Sequence, residues 1–132
     1  MDTAVDTSVL LAILKRESGW EAWSERLRTA LTEGRLLVCP IVFAEVYMGF
    51  GDPEVCQEAL GSLGMQYSTF AARTAWLAGR SFAEYRRQGG PRSHLIPDFL
   101  IAAHSVVQAH RLAATDRGYF RRYFADLEIL EP

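Results

Sequence analysis

Apolar and polar positions along the 132 residues fall into blocks whose period changes repeatedly. Ala4 and Val5 form a short apolar stretch closed by Asp6. Thr7 and Ser8 follow, either able to cap a helix, and then the apolar run Val9 to Leu14. Trp20, Trp23, Leu27 and Leu31 recur at helical spacing, opened by a Ser18/Glu21 capping box and ending near Gly34. Leu36 to Cys39 reads as a buried strand. Pro40 suits the first turn of a helix that runs to Phe50, is apolar nearly all round and is therefore expected to be buried. Pro53 opens another helix to Gly61 or Gly64, and Met65 to Ser68 is a short strand candidate. A long amphipathic helix is predicted from Phe70 to Gln88. Its packing face is small (Ala72, Ala75, Ala78, Gly79 and Ala83, with Trp76 and Phe82), and Arg73, Arg80, Arg86 and Arg87 form its basic side. Pro97 begins an apolar helix over Asp98 to His110; a strand from Leu112 to Thr115, a short helix from Gly118 to Phe124 and a last strand from Glu128 to Leu130 complete the chain. Helical and extended signals in alternation predict an α/β fold with a mainly parallel sheet.

Four carboxylates interrupt this pattern. Asp6 is the only charge between Asp2 and Lys15, and Glu45 the only one from Leu36 to Gly51. Asp98 is the only carboxylate between Arg92 and Arg111, and Asp116 closes a predicted strand. Each has an ordinary explanation: Asp6 and Asp98 suit helix N-termini, Asp116 suits a cap, and Glu45 suits a buried ion pair. All four nevertheless stand at strand ends or helix starts that a parallel sheet brings to its carboxyl edge, where α/β folds bind ligands. Clustered carboxylates repel one another, and an oxygen-only set suits Mg²⁺ or Mn²⁺. Thr7, Ser8 and Thr115 adjoin these acids and can orient them.

Length and a hydrophobic share of 49% fit one domain with one core. No apolar run reaches the ~20 residues of a membrane span, and the start lacks the basic n-region of a signal peptide. Cys39 and Cys56 carry neither disulfide-framework nor metal-site spacing, which suggests reduced thiols in a cytoplasmic protein. His94, His104 and His110 have no zinc spacing. The net charge of −2 conceals an asymmetry, because Arg73 to Arg122 holds nine arginines against Glu84, Asp98 and Asp116. That basic half points to a polyanionic partner. Arg86, Arg87, Arg92, Arg117, Arg121 and Arg122 are candidates to hold a nucleic-acid backbone; Tyr119, Phe120 and Tyr123 could stack on bases, although core packing suits at least two of them better.

The segments Val5-Asp6-Thr7-Ser8-Val9-Leu10-Leu11, Pro40-Ile41-Val42-Phe43-Ala44-Glu45, Pro97-Asp98-Phe99-Leu100-Ile101-Ala102-Ala103-His104 and Ala114-Thr115-Asp116-Arg117-Gly118-Tyr119-Phe120 resemble PIN domains, specifically the VapC-type toxins of toxin–antitoxin pairs. The likeness runs from end to end in order and spacing. It implies a Rossmann-like three-layer α/β/α sandwich and an Mg²⁺- or Mn²⁺-dependent endoribonuclease. It also implies metal ligation by Asp6, Glu45, Asp98 and Asp116, with Thr7 and Thr115 beside them. Homodimers and a cognate antitoxin that occludes the site are further implications. The first strand, with the polar start Met1-Asp2-Thr3, is shorter than the family's usual one. Two alternatives stay open: another carboxylate-metal phosphoesterase, and a non-catalytic RNA- or protein-binding module.

Overall fold

The computed structural model describes residues 1–90, 96–115 and 118–132, without the side chains of 118 and 119. Arg92, His94, Asp116, Arg117 and the side chain of Tyr119 therefore lie outside the described residues.

Five short strands form one sheet: β1 (Thr3–Val5), β2 (Leu36–Val38), β3 (Met65–Tyr67), β4 (Arg111–Ala113) and β5 (Ile129–Leu130). Their order is β3-β2-β1-β4-β5 and the pairings are parallel, with Thr3 opposite both Leu36 and Arg111. β1, β2 and β4 are buried at every position, as central strands covered on both faces must be. Thr3 joins the first strand despite its polarity, because its hydroxyl accepts a hydrogen bond from the Arg111 Nε–H at 2.9 Å.

Among the described residues seven helices accompany the strands: α1 (Thr7–Leu14), α2 (Trp20–Glu33), α3 (Pro40–Tyr47), α4 (Pro53–Ser62), α5 (Ala72–Arg87), α6 (Ile96–Gln108) and α7 (Gly118–Tyr123). From β1 the chain steps outward through β2 to β3, then crosses back over β1 to β4 and β5. Right-handed crossovers running in opposite directions put α1–α4 on one face and α5–α7 on the other. The side chains bear this out as two clusters. Val9, Leu10, Trp23, Leu27, Val42, Val46 and Leu60 pack with the sheet in one; Ala78, Tyr85, Phe99, Ala102, Ala103, Phe120 and Phe124 form the other. The result is a three-layer α/β/α architecture.

Three local expectations change. The N-cap of α2 is Gly19, in the left-handed region at φ 87°, and it makes no side-chain cap; the chain turns too sharply there for a Ser18/Glu21 box. α3 ends at Tyr47 and buries only Val42 and Val46. Its other apolar side chains are half-buried or exposed, with Met48, just past its end, 77% exposed. On α5 the buried face is Thr74, Ala78, Ser81 and Tyr85, and the expected small residues Ala72, Ala75, Gly79 and Ala83 face solvent. Thr74 can go inward because its hydroxyl donates to Gln108 Oε1 at 2.6 Å, which removes the cost of burying it. Phe120 is wholly buried, in line with core packing for at least two of Tyr119, Phe120 and Tyr123.

Candidate active site

The strand order creates a switch point between β1 and β4. From here the chain runs outward in opposite directions, and the crevice above the strand ends is where such sheets bind ligands. Asp6 stands in that crevice. Its backbone N–H donates to the Ala113 carbonyl at 2.9 Å, one step beyond the β1–β4 ladder. The same residue is the N-cap of α1, its carbonyl accepting from Val9 and Leu10. A strand end and a helix start thus fix the backbone on both sides of this carboxylate, which is only 1% exposed.

Neither Thr7 nor Ser8 caps α1; no side chain caps it. Both hydroxyls turn to carboxylates instead. Ser8 Oγ donates to Asp6 Oδ2 at 2.6 Å, and Thr7 Oγ1 donates to Glu45 Oε1 at 2.8 Å. Glu45 lies in the middle of α3 and is half-buried, so the Thr7 bond ties α3 to α1 across the edge. The carboxylate that interrupts the apolar 36–51 stretch is therefore directed at the same end of the sheet as Asp6.

Asp98 lies in the first turn of α6 and is half-buried. Thr115, two residues beyond β4, is exposed at the same edge. Asp116 lies outside the described residues. Among the described residues no three His, Cys, Asp or Glu side chains converge closely enough to hold an ion. Of the basic candidates, Arg86 and Arg87 are in the last turn of α5, and Arg121 and Arg122 in the last turn of α7. All four are exposed. Arg87 pairs with Glu84 at 2.9 Å and Arg122 donates to Gln88 at 3.3 Å.

Cys39, read from its spacing only as a reduced thiol, lies close to the site. It is the N-cap residue of α3 and is 2% exposed. Burial pushes its thiol up, and the nearby Asp6 charge pushes it further the same way. The thiol stays protonated at neutral pH, so the donors around Asp6 are carboxylate and hydroxyl oxygens. In the sequence, Val38-Cys39-Pro40 reads only as the end of a core strand; the electrostatic interaction of Cys39 with Asp6 depends on β1 and β2 pairing. His104, which has no zinc spacing in the sequence, is buried and meets the Ser68 hydroxyl through Nε2 at 2.9 Å, and burial holds the pKa of its imidazole down to about 4.

A family model described as PIN domain matches residues 3–125. No curated protein matches the chain. Among solved structures, VapBC2 from Rickettsia felis, bound to a DNA fragment from its promoter, aligns with a TM-score of 0.79 at 19% identity, covering 99% of this chain and 98% of that one. VapBC-1 from nontypeable Haemophilus influenzae aligns at 0.75 and 20% identity, with the same coverage of 99% and 98%. DNA-bound VapBC from Salmonella typhimurium aligns at 0.75 and 19% identity, again covering 99% and 98%. At these identities the likeness is one of fold.

Proposed function

The chain belongs to the PIN-domain family, and on that premise we propose that it is a metal-dependent endoribonuclease, the toxin of a toxin–antitoxin pair. The observation that carries this reading is the buried Asp6 carboxylate at the switch point, with Ser8 on its own oxygen and Thr7 holding Glu45 beside it. Burying a carboxylate costs several kcal/mol before compensation, a cost expected where the charge has work to do.

The donor chemistry fits a hard divalent cation. Mg²⁺ keeps several waters and takes one or two carboxylates plus substrate phosphate, so the few oxygens described around Asp6 suffice, and the protonated Cys39 does not compete. Asp6, Asp98 and Asp116 would hold the ion, with Glu45 direct or through water. When bound, it would supply positive charge against the phosphate and acidify the attacking water. The chain's own residues do the rest. Ser8 and Thr7 fix the rotamers of Asp6 and Glu45, and Thr115 stands at the strand end beside them. Attack of water on phosphorus forms one P–O bond and breaks the bond to the 3′ oxygen. The water's proton passes to a carboxylate or to solvent, the leaving oxygen takes one up, and the products are a 5′-phosphate and a 3′-hydroxyl. No ribose 2′-hydroxyl takes part as nucleophile. Arg86, Arg87, Arg92, Arg117, Arg121 and Arg122 would hold the RNA backbone.

The same reading makes the chain a single-domain cytoplasmic protein that forms a homodimer and meets an antitoxin over this edge. No helix among the described residues is long and apolar enough to cross a membrane. The test is incubation of cellular RNA with antitoxin-free protein in Mn²⁺, in EDTA, and with Asp6→Asn. The expected result is discrete 5′-phosphorylated fragments that disappear under either change. Cleavage that survives both would refute the reading. RNA left intact by protein that binds Mn²⁺ would favour the non-catalytic module.

A further inference from the structure

Away from the carboxyl edge, α5 and α7 frame a second polar surface. Arg73, Arg80 and Arg87 recur every seven residues along α5, an interval over which a helix drifts only ~20°. They therefore form one stripe, about 21 Å long at the helical rise, and all three are exposed. Two cavities open along it. One of about 530 Å³ is lined by Arg80, Arg87 and Arg122 with Glu84, which pairs with Arg87 at 2.9 Å; the other, of about 490 Å³, by Arg73, Trp76 and Arg80 with Asp126, and among the described residues no carboxylate is paired with Arg73 or Arg80. Both also include Tyr123, so they join into one groove.

Two further features mark what the groove would take. Trp76 is 60% exposed, and the Arg80 guanidinium lies 4.9 Å from its ring centre. Arg122 stacks in the same way on Tyr123, at 5.5 Å. A guanidinium stacked on an aromatic ring can still turn its N–H edge to a phosphate, and an exposed indole offers a platform for a base. The groove also leads to the catalytic edge. Tyr123 packs against Phe99 at 6.1 Å between ring centres, and Phe99 follows Asp98 in the first turn of α6.

We propose that the α5–α7 groove binds the backbone of the RNA strand flanking the cleaved bond, Arg73 and Arg80 meeting phosphates and Trp76 stacking on a base. The choice of RNA rests on the ribonuclease reading. An acidic peptide is the weaker occupant: the walls are helices, with no strand edge for a peptide to extend, and the cations are spread along a line as phosphates are.

The test separates binding from cleavage. Full-length protein carrying Asp6→Asn is titrated, in EDTA, against a fluorescently labelled single-stranded RNA 20-mer at 50 to 200 mM salt. Adding Arg73→Gln with Arg80→Gln is expected to weaken binding roughly tenfold at low salt and to flatten the slope of log Kd against log salt by about 1.4, the share of two single-strand phosphate contacts. Adding Trp76→Ala instead is expected to weaken binding about tenfold with the slope kept. These side chains are exposed, and matched melting temperatures establish that the variants fold. Equal affinity and slope with and without the arginine changes would overturn the proposal. So would a protein that ignores the RNA but binds a poly-glutamate peptide through these arginines. Failure of wild-type protein to cut RNA in Mn²⁺, with these binding differences intact, would remove the nuclease and leave the groove.

Discussion

The two ends of the sheet treat their acids differently. At the amino end, acids meet guanidinium groups. Asp2 accepts from the Arg35 backbone N–H at 3.0 Å and from its guanidinium at 2.7 and 3.2 Å. Arg111, 5% exposed, donates to Glu33 at 3.0 Å and to the Thr3 hydroxyl at 2.9 Å. At the carboxyl end, Asp6 takes a hydroxyl from Ser8 and Glu45 takes one from Thr7. The distinction is chemical. A guanidinium neutralises a carboxylate and occupies its oxygens in pairs. A hydroxyl occupies one of about four lone-pair sites and leaves the charge in place. The amino end is thus stapled by guanidinium groups, while at the carboxyl end the hydroxyls of Ser8 and Thr7 orient the two carboxylates.

The comparison breaks most visibly at Asp6, where Asn is expected to bring RNA cleavage to background with the fold retained. Next come the hydroxyls. Ser8→Ala and Thr7→Val each remove one orienting hydrogen bond from a carboxylate, with an expected loss of 10- to 100-fold in cleavage, the usual scale for groups that orient ligands. Their effect on unfolding free energy should be only about 1 kcal/mol. Arg111→Met should do the reverse. It leaves Thr3 unsatisfied and Glu33 with only the longer Arg26 pair at 3.9 Å, and because Glu33 is part-exposed the cost is about 2 kcal/mol rather than the full value for a buried pair. Cleavage per folded molecule should be unchanged. Urea unfolding and cleavage rates on the same preparations check both, and a Ser8→Ala variant that loses stability but no rate would reverse the assignment of the two ends.

How much of this could be read in the sequence follows from what is local. The alternation of periods is local, so elements and the parallel sheet were legible. Asp6 and Glu45 were legible because each is a single charge in an apolar run. Strand order was not: β1 lies between partners 33 and 108 residues away, and no nearby pattern records that. The role of Ser8 hung on the same information. A hydroxyl after an acid reads equally as a cap or as a carboxylate partner, and only the Asp6 backbone, fixed by Ala113, decides. Arg111 counted toward a basic half in the sequence, yet it lies buried between Thr3 and Glu33. On α5, small residues on the outer side resembled a packing face, while Thr74 and Ser81 took the inner one. Polar residues with partners supplied by another helix defeat any reading by hydropathy alone.

The smallest expected effect tests the amino end by pH. The Arg35 hydrogen bonds hold the Asp2 carboxyl down to about 2, from an ordinary 3.8. Between those values the unfolded chain binds more protons than the folded one, so unfolding free energy rises with pH across this window. The contribution is complete above about pH 4 and is lost as pH falls through 2. Asp2→Asn removes that titration, so its stability should fall less steeply than wild type from pH 4 to 2. At pH 7 the variant should be weaker by no more than about 1 kcal/mol, because Arg35 is largely exposed, and added salt should shrink the difference. Denaturant melts at pH 7, 4 and 2 measure it. Parallel loss in both proteins would show that Asp2 does not staple this end, leaving the contrast between the two edges to Arg111 alone.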